Sequence, residues 1–259
     1  MIFTSMPHFL TNLLCTFVWN KRERNRVRAV LNSPVAREIR FIRRDLGTKI
    51  FKIKTFVGYQ GRSLLIAVND QWIYKFPLYR SDFRELAENE KRIVDALQPI
   101  SPIHIPSVEL LYMGRDKIPV RKYEFVRGCG VRQLNPNMVL KHKTKLARQL
   151  ANFLYQVACA DPAEIRDLKP SPDDAPRYMY GWSQGDLCDN FFADPKTMQV
   201  VAIIDWEDAR FGDLSPQMGY NKNSPQRELM DAVRHEYDVL YKSGGKRAHR
   251  ATAPTKQIH

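Results

Sequence analysis

Residues Trp182 to Asp213 read WSQGDLCDNFFADPKTMQVVAIIDWEDARFGD. Two short apolar runs flank the turn signal ADPKT, the pattern of a β-hairpin. Asp186 and Asn190 precede the first run, and Asp205 ends the second. Closing the hairpin therefore folds Asp205 back beside Asn190. A surface hairpin with ordinary Asx turns accounts better for Asp186 and Asn190 alone; the addition of Asp205 reverses that preference. Transfer of a nucleotide's terminal phosphoryl group needs an in-line hydroxyl, a group to take its proton, and cations clamped on the phosphates. Asp186, in the loop entering the first strand, is placed to accept that proton. The Asn190 amide oxygen and the Asp205 carboxylate are hard oxygen ligands of the kind Mg²⁺ takes.

The half of the chain upstream of this stretch changes period from helical to strand-like. VAREIRFIRRDL (35 to 46) suits a basic helix ended by Gly47. KIFKIKTF, SLLIAV and QWIYKFPL then read as successive antiparallel strands, separated by GYQGR and ND. RSDFRELAENEKRIVDALQ places Phe83, Leu86, Glu90, Ile93, Val94 and Leu97 at helical spacing, and PISPIHIP breaks it. SVELLYMG and VRKYEFV are two more strands. Residues 137 to 158 form a helix with Leu146, Leu150, Phe153, Leu154 and Val157 along one side, and SPQRELMDAVRHEYDVLYK is another. This order predicts two lobes with a cleft between them: a small, mostly antiparallel sheet with one inserted helix, then a helical half carrying the polar hairpin.

At 259 residues with 44% hydrophobic content, the chain can build a substantial core. Its four cysteines, Cys15, Cys129, Cys159 and Cys188, form no CxxC pair or Cys/His cluster, which argues against a disulfide framework or structural zinc and fits a reducing cytoplasm. Of the net charge of +13, residues 1 to 54 hold +9, from twelve Lys/Arg against Glu23, Glu38 and Asp45. Such asymmetry suits an acidic partner. The first residues lack the charged start and cleavage site of a secretory signal, and Pro7, His8 and Asn12 interrupt any span. From His8 to Trp19, Phe9, Leu10, Leu13, Leu14, Phe17 and Val18 recur at helical spacing before NKRERNRVR. Residues 8 to 30 therefore suit either an anionic membrane surface or a helix packed on the main body. The basic run has no interleaved aromatics and no reading module, which argues against nucleic acid. SGGKRAHRATAPTKQIH (243 to 259) has the composition of a disordered basic tail.

QGDLCDN resembles the catalytic loop of the aminoglycoside phosphotransferase and choline kinase superfamily, relatives of the protein kinases, and IIDWEDARFGD resembles its metal-binding segment. The resemblance spans residues 50 to 220. It implies an α+β, two-lobed, protein kinase-like fold with a small antiparallel β N-lobe holding one helix and a mainly α C-lobe. The corresponding division is an N-terminal extension (1 to 46), a nucleotide-binding lobe (47 to 126), a C-lobe (127 to 242) and the tail. The implied activity is Mg²⁺-dependent transfer from ATP or GTP to a hydroxyl, with Asp186 as base, Asn190 and Asp205 as metal ligands, and Asp213 as a structural Asp. VGYQGRS, with Gly58, Gly61 and Ser63, would cover the phosphates; Lys75 would reach them and pair with Glu90; backbone near Glu124 and Val126 would meet the purine. Read without the resemblance, Lys75 and Glu90 fit solvated surface positions as well.

Three features depart from the family pattern. Gln184 stands where His is usual, four residues rather than five separate Asp186 from Asn190, and Gln217 replaces a further Asp. The four-residue spacing also occurs in the branch modifying the 2″ hydroxyl of aminoglycosides. The short segment after Asp213 and the basic N-terminus favour a sugar or glycan acceptor, such as a lipopolysaccharide core sugar, over an antibiotic. Asp189, Glu207 and Asp208 are neighbours without an assigned role, although such an acidic cluster could bind a cationic substrate; an aminoglycoside-type antibiotic kinase and a catalytically weak kinase-like binding protein are the alternatives.

Overall fold

In a computed structural model, the described residues are 13, 16, 17, 21, 24, 35–58, 62–78, 83–171, 173–218 and 225–251. Gly61, most of residues 8 to 30 and residues 252–259 lie outside them. The chain divides into two compact units, Met1–Lys91 with Ser107–Phe125, and Arg92–Pro106 with Val126–His259.

In the first unit, helix α1 (Val35–Leu46) is followed by β1 (Ile53–Val57), β2 (Ser63–Val68) and β3 (Trp72–Pro77). Helix α2 (Phe83–Leu97) comes next, and the unit boundary falls within it; β4 (Val108–Met113) and β5 (Ile118–Glu124) complete the set. The strands form one antiparallel sheet in the order β1-β2-β3-β5-β4. Because successive side chains alternate across a sheet, the register sorts the residues into two faces. Leu64, Ile66, Val68, Tyr74, Phe76, Val120 and Met113 share a core with Val35, Ile39 and Ile42 of α1. The helical spacing of those three residues thus makes α1 a layer of this unit's core, where the sequence suggests an extension ahead of the domain. Asp45 fixes the end of α1 by accepting from Tyr74 Oη at 2.6 Å and pairing with Lys122 at 2.9 Å. The opposite face carries Phe56, Leu65, Lys75 and Arg121, each directly opposite the next.

The second unit holds β6 (Cys129–Gly130), α3 (Pro136–Lys141), α4 (Lys143–Ala158), β7 (Tyr180–Ser183), β8 (Phe191–Ala193), β9 (Val200–Ile203), β10 (Arg210–Asp213) and α5 (Pro225–Ala251). The helix expected over 137 to 158 is broken at His142, between α3 and α4. Leu146, Leu150, Phe153, Leu154 and Val157 are buried, as their spacing predicts, and α4 packs along α5. Helix α5 continues past residue 243 to Ala251. Packing overrides local composition there: Gly244 lies so close to the Tyr155 ring that a β-carbon would strike its hydroxyl. Strands β6, β8 and β9 form one small sheet, β7 and β10 another. Trp206 ties this region to α4, meeting Phe153 edge-on at 6.0 Å.

Candidate active site

The loop between β7 and β8 carries Gln184 to Asn190. Its entry needs glycine at Gly185, which has φ +102°, because a β-carbon there would run into the backbone of Asp208. Its exit is fixed by pairing: Phe191 lies opposite Ile203, and the Ile204 N–H donates to the Asn190 carbonyl at 2.9 Å. Asn190 and Asp205 are thus held on adjacent chain segments, as the hairpin pattern predicts. Asp205 itself adopts a left-handed conformation (φ 58°, ψ 68°), an uncommon one for a residue with a β-carbon.

Gln184 joins the two segments. Its side chain is fully buried, and its amide nitrogen donates to the carbonyls of Ile204 at 3.0 Å and Asp205 at 2.6 Å. Its amide oxygen accepts from the Asp186 N–H at 2.8 Å. An amide has a donor end and an acceptor end, so one neutral side chain serves both loops. The Gln in place of the usual His therefore leaves the loop anchored.

Around Asp186 the environment is half-buried. Cys188, buried, donates its thiol to Asp186 Oδ1 at 3.2 Å. Burial raises the Asp186 pKa, and the charges of Asp189 and Asp205 add to this; the Cys188 thiol and Arg132 oppose it. Burial, followed by the adjacent Asp186 charge, pushes the Cys188 thiol up, so it stays protonated near neutrality. Candidate ligand atoms of Asp186, Cys188 and Asp189 lie within 4.8 Å of one another. A protonated thiol is a poor partner for a hard cation, whereas the Asn190 amide and Asp205 carboxylate, held on paired segments, fit Mg²⁺. Asp213 accepts from the Ser215 N–H at 2.9 Å, which lowers its pKa and fixes the turn after β10.

In the first unit, Lys75 and Glu90 are both buried, which removes the solvated-surface reading of each. The sequence nominates Lys75 as the partner of Glu90. In the structure both Glu90 oxygens are engaged from β5: Arg121 Nη1 donates at 2.6 Å and Tyr123 Oη at 2.9 Å. Arg121 sits directly opposite Lys75 in the sheet. Neither Arg121 nor Tyr123 stood out in the sequence, although the alternation of VRKYEFV puts them on one face. Gly58 donates its N–H to the Ser63 carbonyl at 2.9 Å, and a β-carbon on it would push the Ser63 hydroxyl aside where β1 ends. Glu124 ends β5 and Val126 begins the next stretch of the second unit. Arg132 pairs with Asp189 of the Gln184–Asn190 loop, a contact that no local sequence pattern announces.

No sequence-family model and no curated protein matches this chain. Solved structures do match its backbone. The GDP complex of wild-type aminoglycoside 2'-phosphotransferase-IIIa superposes with a TM-score of 0.57 at 20% identity, over 83% of this chain and 92% of that one. The gentamicin complex of the aminoglycoside phosphotransferase APH(2")-IIa gives 0.59 at 14%, over 83% and 92%. A microcompartment-associated aminopropanol kinase gives 0.52 at 16%, over 78% and 80%. The chain has the aminoglycoside phosphotransferase fold. Within that kinase-like fold, the loop of Asp186 and the turn of Asp205 are joined by an amide. Among the described residues, no helix is long and apolar enough to cross a membrane.

Proposed function

We propose that this chain is a Mg²⁺-dependent phosphotransferase that moves the terminal phosphoryl group of ATP or GTP to a hydroxyl of a small molecule or sugar. The observation that carries this reading is the Gln184 bridge, which holds the backbone of the candidate base and of the candidate metal ligand with one side chain. Nucleotide-bound neighbours of the same fold support the donor.

Asp186 takes the proton of the acceptor hydroxyl as its oxygen bonds to the terminal phosphorus and the bridging P–O bond breaks, releasing the nucleoside diphosphate. Burial, the main cause of the raised Asp186 pKa, makes its ionised form a stronger base than an ordinary carboxylate. Asn190 and Asp205 would hold Mg²⁺, which when bound offsets the phosphate charge. Lys75 neutralises donor phosphate oxygens, with Glu90 and Arg121 fixing the sheet face on which it stands. Gly58, Gly61 and Ser63 shape the loop over the phosphates, and backbone at Glu124 and Val126 receives the purine.

A glycan hydroxyl, such as a core sugar of a surface polysaccharide, is the acceptor the basic N-terminus favours. Residues 8 to 30 would hold the enzyme on the inner face of an anionic membrane from the cytoplasm. The exposure of Leu13 and of Phe17, four residues apart in the chain, supports that placement. Flotation with anionic vesicles checks it: recovery should fall when residues 1 to 30 are removed, and equal recovery would reject it.

The central test is thermal stabilisation by nucleotide. Mg²⁺-ATP should raise the melting temperature, since a ligand of the folded state stabilises it. Asp205→Ala should abolish the Mg²⁺-dependent part. Asp186→Asn should keep nucleotide binding while losing about 10²- to 10⁴-fold in transfer, measured as product formed with a competent acceptor. Full activity in Asp186→Asn removes it as base.

A further inference from the structure

Beside the catalytic loop, the 3₁₀ turn Val131–Gln133 presents Arg132. Its Nε donates to Asp189 Oδ1 at 2.9 Å and its Nη2 to Oδ2, and Gln226 also donates to Oδ1 at 3.3 Å. Both oxygens of Asp189 are therefore occupied and its charge is offset. That removes Asp189 from the acidic cluster that would attract a cation. The guanidinium has five N–H groups, of which Asp189 uses two. Among the described residues nothing occupies the Nη1 edge, on a side chain that is 67% exposed. Such an edge matches the paired oxygens of a phosphate or carboxylate.

Its position gives this edge a role. Asp189 and Asp186 have carboxylate oxygens within 4.8 Å of each other, and Arg132 bonds directly to Asp189. An acceptor whose hydroxyl lies within hydrogen-bond reach of Asp186 can place a neighbouring substituent within reach of Arg132. The Arg132 charge is already felt at Asp186, whose pKa it lowers against the rise from burial.

We infer that Arg132 selects an acceptor bearing a negative group, phosphate or carboxylate, near its reacting hydroxyl. This rests on the phosphotransferase reading and deepens it by giving the acceptor's charge. A polycationic acceptor would find no acceptor for its charge here, because Asp189 is already paired and the remaining guanidinium N–H groups only donate.

The test compares four probes with the full-length protein and Mg²⁺-ATP: glucose, glucose 1-phosphate, glucuronic acid and kanamycin. ADP release reports turnover, and calorimetry with a non-hydrolysable nucleotide reports acceptor binding. The two anionic probes should bind and turn over best, with their ratio separating phosphate from carboxylate recognition. Arg132→Gln should raise KM for the anionic probes about tenfold or more beyond any change it causes for glucose; Arg132→Lys, a point charge without the fork, should restore part of that difference. An equal fall for glucose and the anionic sugars would mean that Arg132 merely holds Asp189, and overturns the inference. Preference for kanamycin, or calorimetry showing no preference for negative charge, overturns it too. Absence of both ADP release and Mg²⁺-nucleotide stabilisation counts instead against the phosphotransferase reading, while the binding preference still decides the role of Arg132.

Discussion

The two units fix their polar residues by opposite means. In the first, Glu90 is a buried carboxylate held by an arginine and a tyrosine from one strand. In the second, Gln184 is a buried neutral amide making three bonds to backbone. A buried ion pair is strong only while both partners remain, since removing one leaves a charge without water or counterion. An amide clamp carries no charge to strand and does not titrate. The charged device suits a position on rigid strand and helix; the neutral one suits a loop whose carboxylates must respond to ligands without disturbing their own support.

The largest effect should come from breaking the charged device. Glu90→Ala leaves Arg121 buried with its carboxylate partner gone, and should cost about 3–5 kcal/mol of stability in chemical denaturation. Exchanging both partners, as Glu90→Gln with Arg121→Met, should recover much of that loss, because no uncompensated charge remains. A double variant as unstable as Glu90→Ala alone would show that packing, not charge, sets the cost.

The neutral device should respond less in stability and more in turnover. Gln184→Leu leaves the Asp186 N–H and the Asp205 carbonyl without their partner, for about 1–3 kcal/mol. Its turnover should fall as the two loops lose their common tie, by a larger factor than the KM for nucleotide rises. A nucleotide KM that rises while turnover holds would place the role of Gln184 elsewhere.

The difference between the devices also explains what the sequence revealed. The hairpin, the loop acid and the turn acid were legible because their positions follow from strand period and turn residues within one short segment. Lys75 and Glu90 could be nominated through the family resemblance, but Arg121 and Tyr123 as the partners of Glu90 could not. Arg121 reaches it only because β5 inserts between β3 and β4, a non-sequential pairing that no local pattern announces. Gln184 looked like a departure from a family pattern, and its bonds to residues about twenty positions away depend on tertiary placement. The same holds for α1, whose apolar spacing was visible while its place as a core layer was not.

A smaller effect is expected at Cys188. Its thiol is a weak donor, and Cys188→Ala removes one bond to Asp186 without stranding a charge. The loss of about 0.5–1.5 kcal/mol in orientation corresponds to roughly a twofold to tenfold drop in turnover. Cys188→Ser keeps a donor at the same place and should recover most of it. If serine and alanine behave alike, the bond does not position Asp186.

The mildest way to separate the devices is pH. Asp186 has a raised pKa, chiefly from burial, so the folded state binds its proton more tightly than the unfolded chain does. Stability therefore gains as pH falls from the raised folded value toward the ordinary carboxylate value near 3.9, and the contribution is lost again as pH rises. Activity moves the other way, because only the ionised carboxylate accepts a proton. In metal-free protein, Asp186→Asn should remove this part of the pH dependence of the melting temperature. The Gln184 bonds contribute equally at every pH in that window, having no proton to gain or lose. A wild-type and Asp186→Asn pair with parallel melting curves across this range would show that burial does not raise the Asp186 pKa.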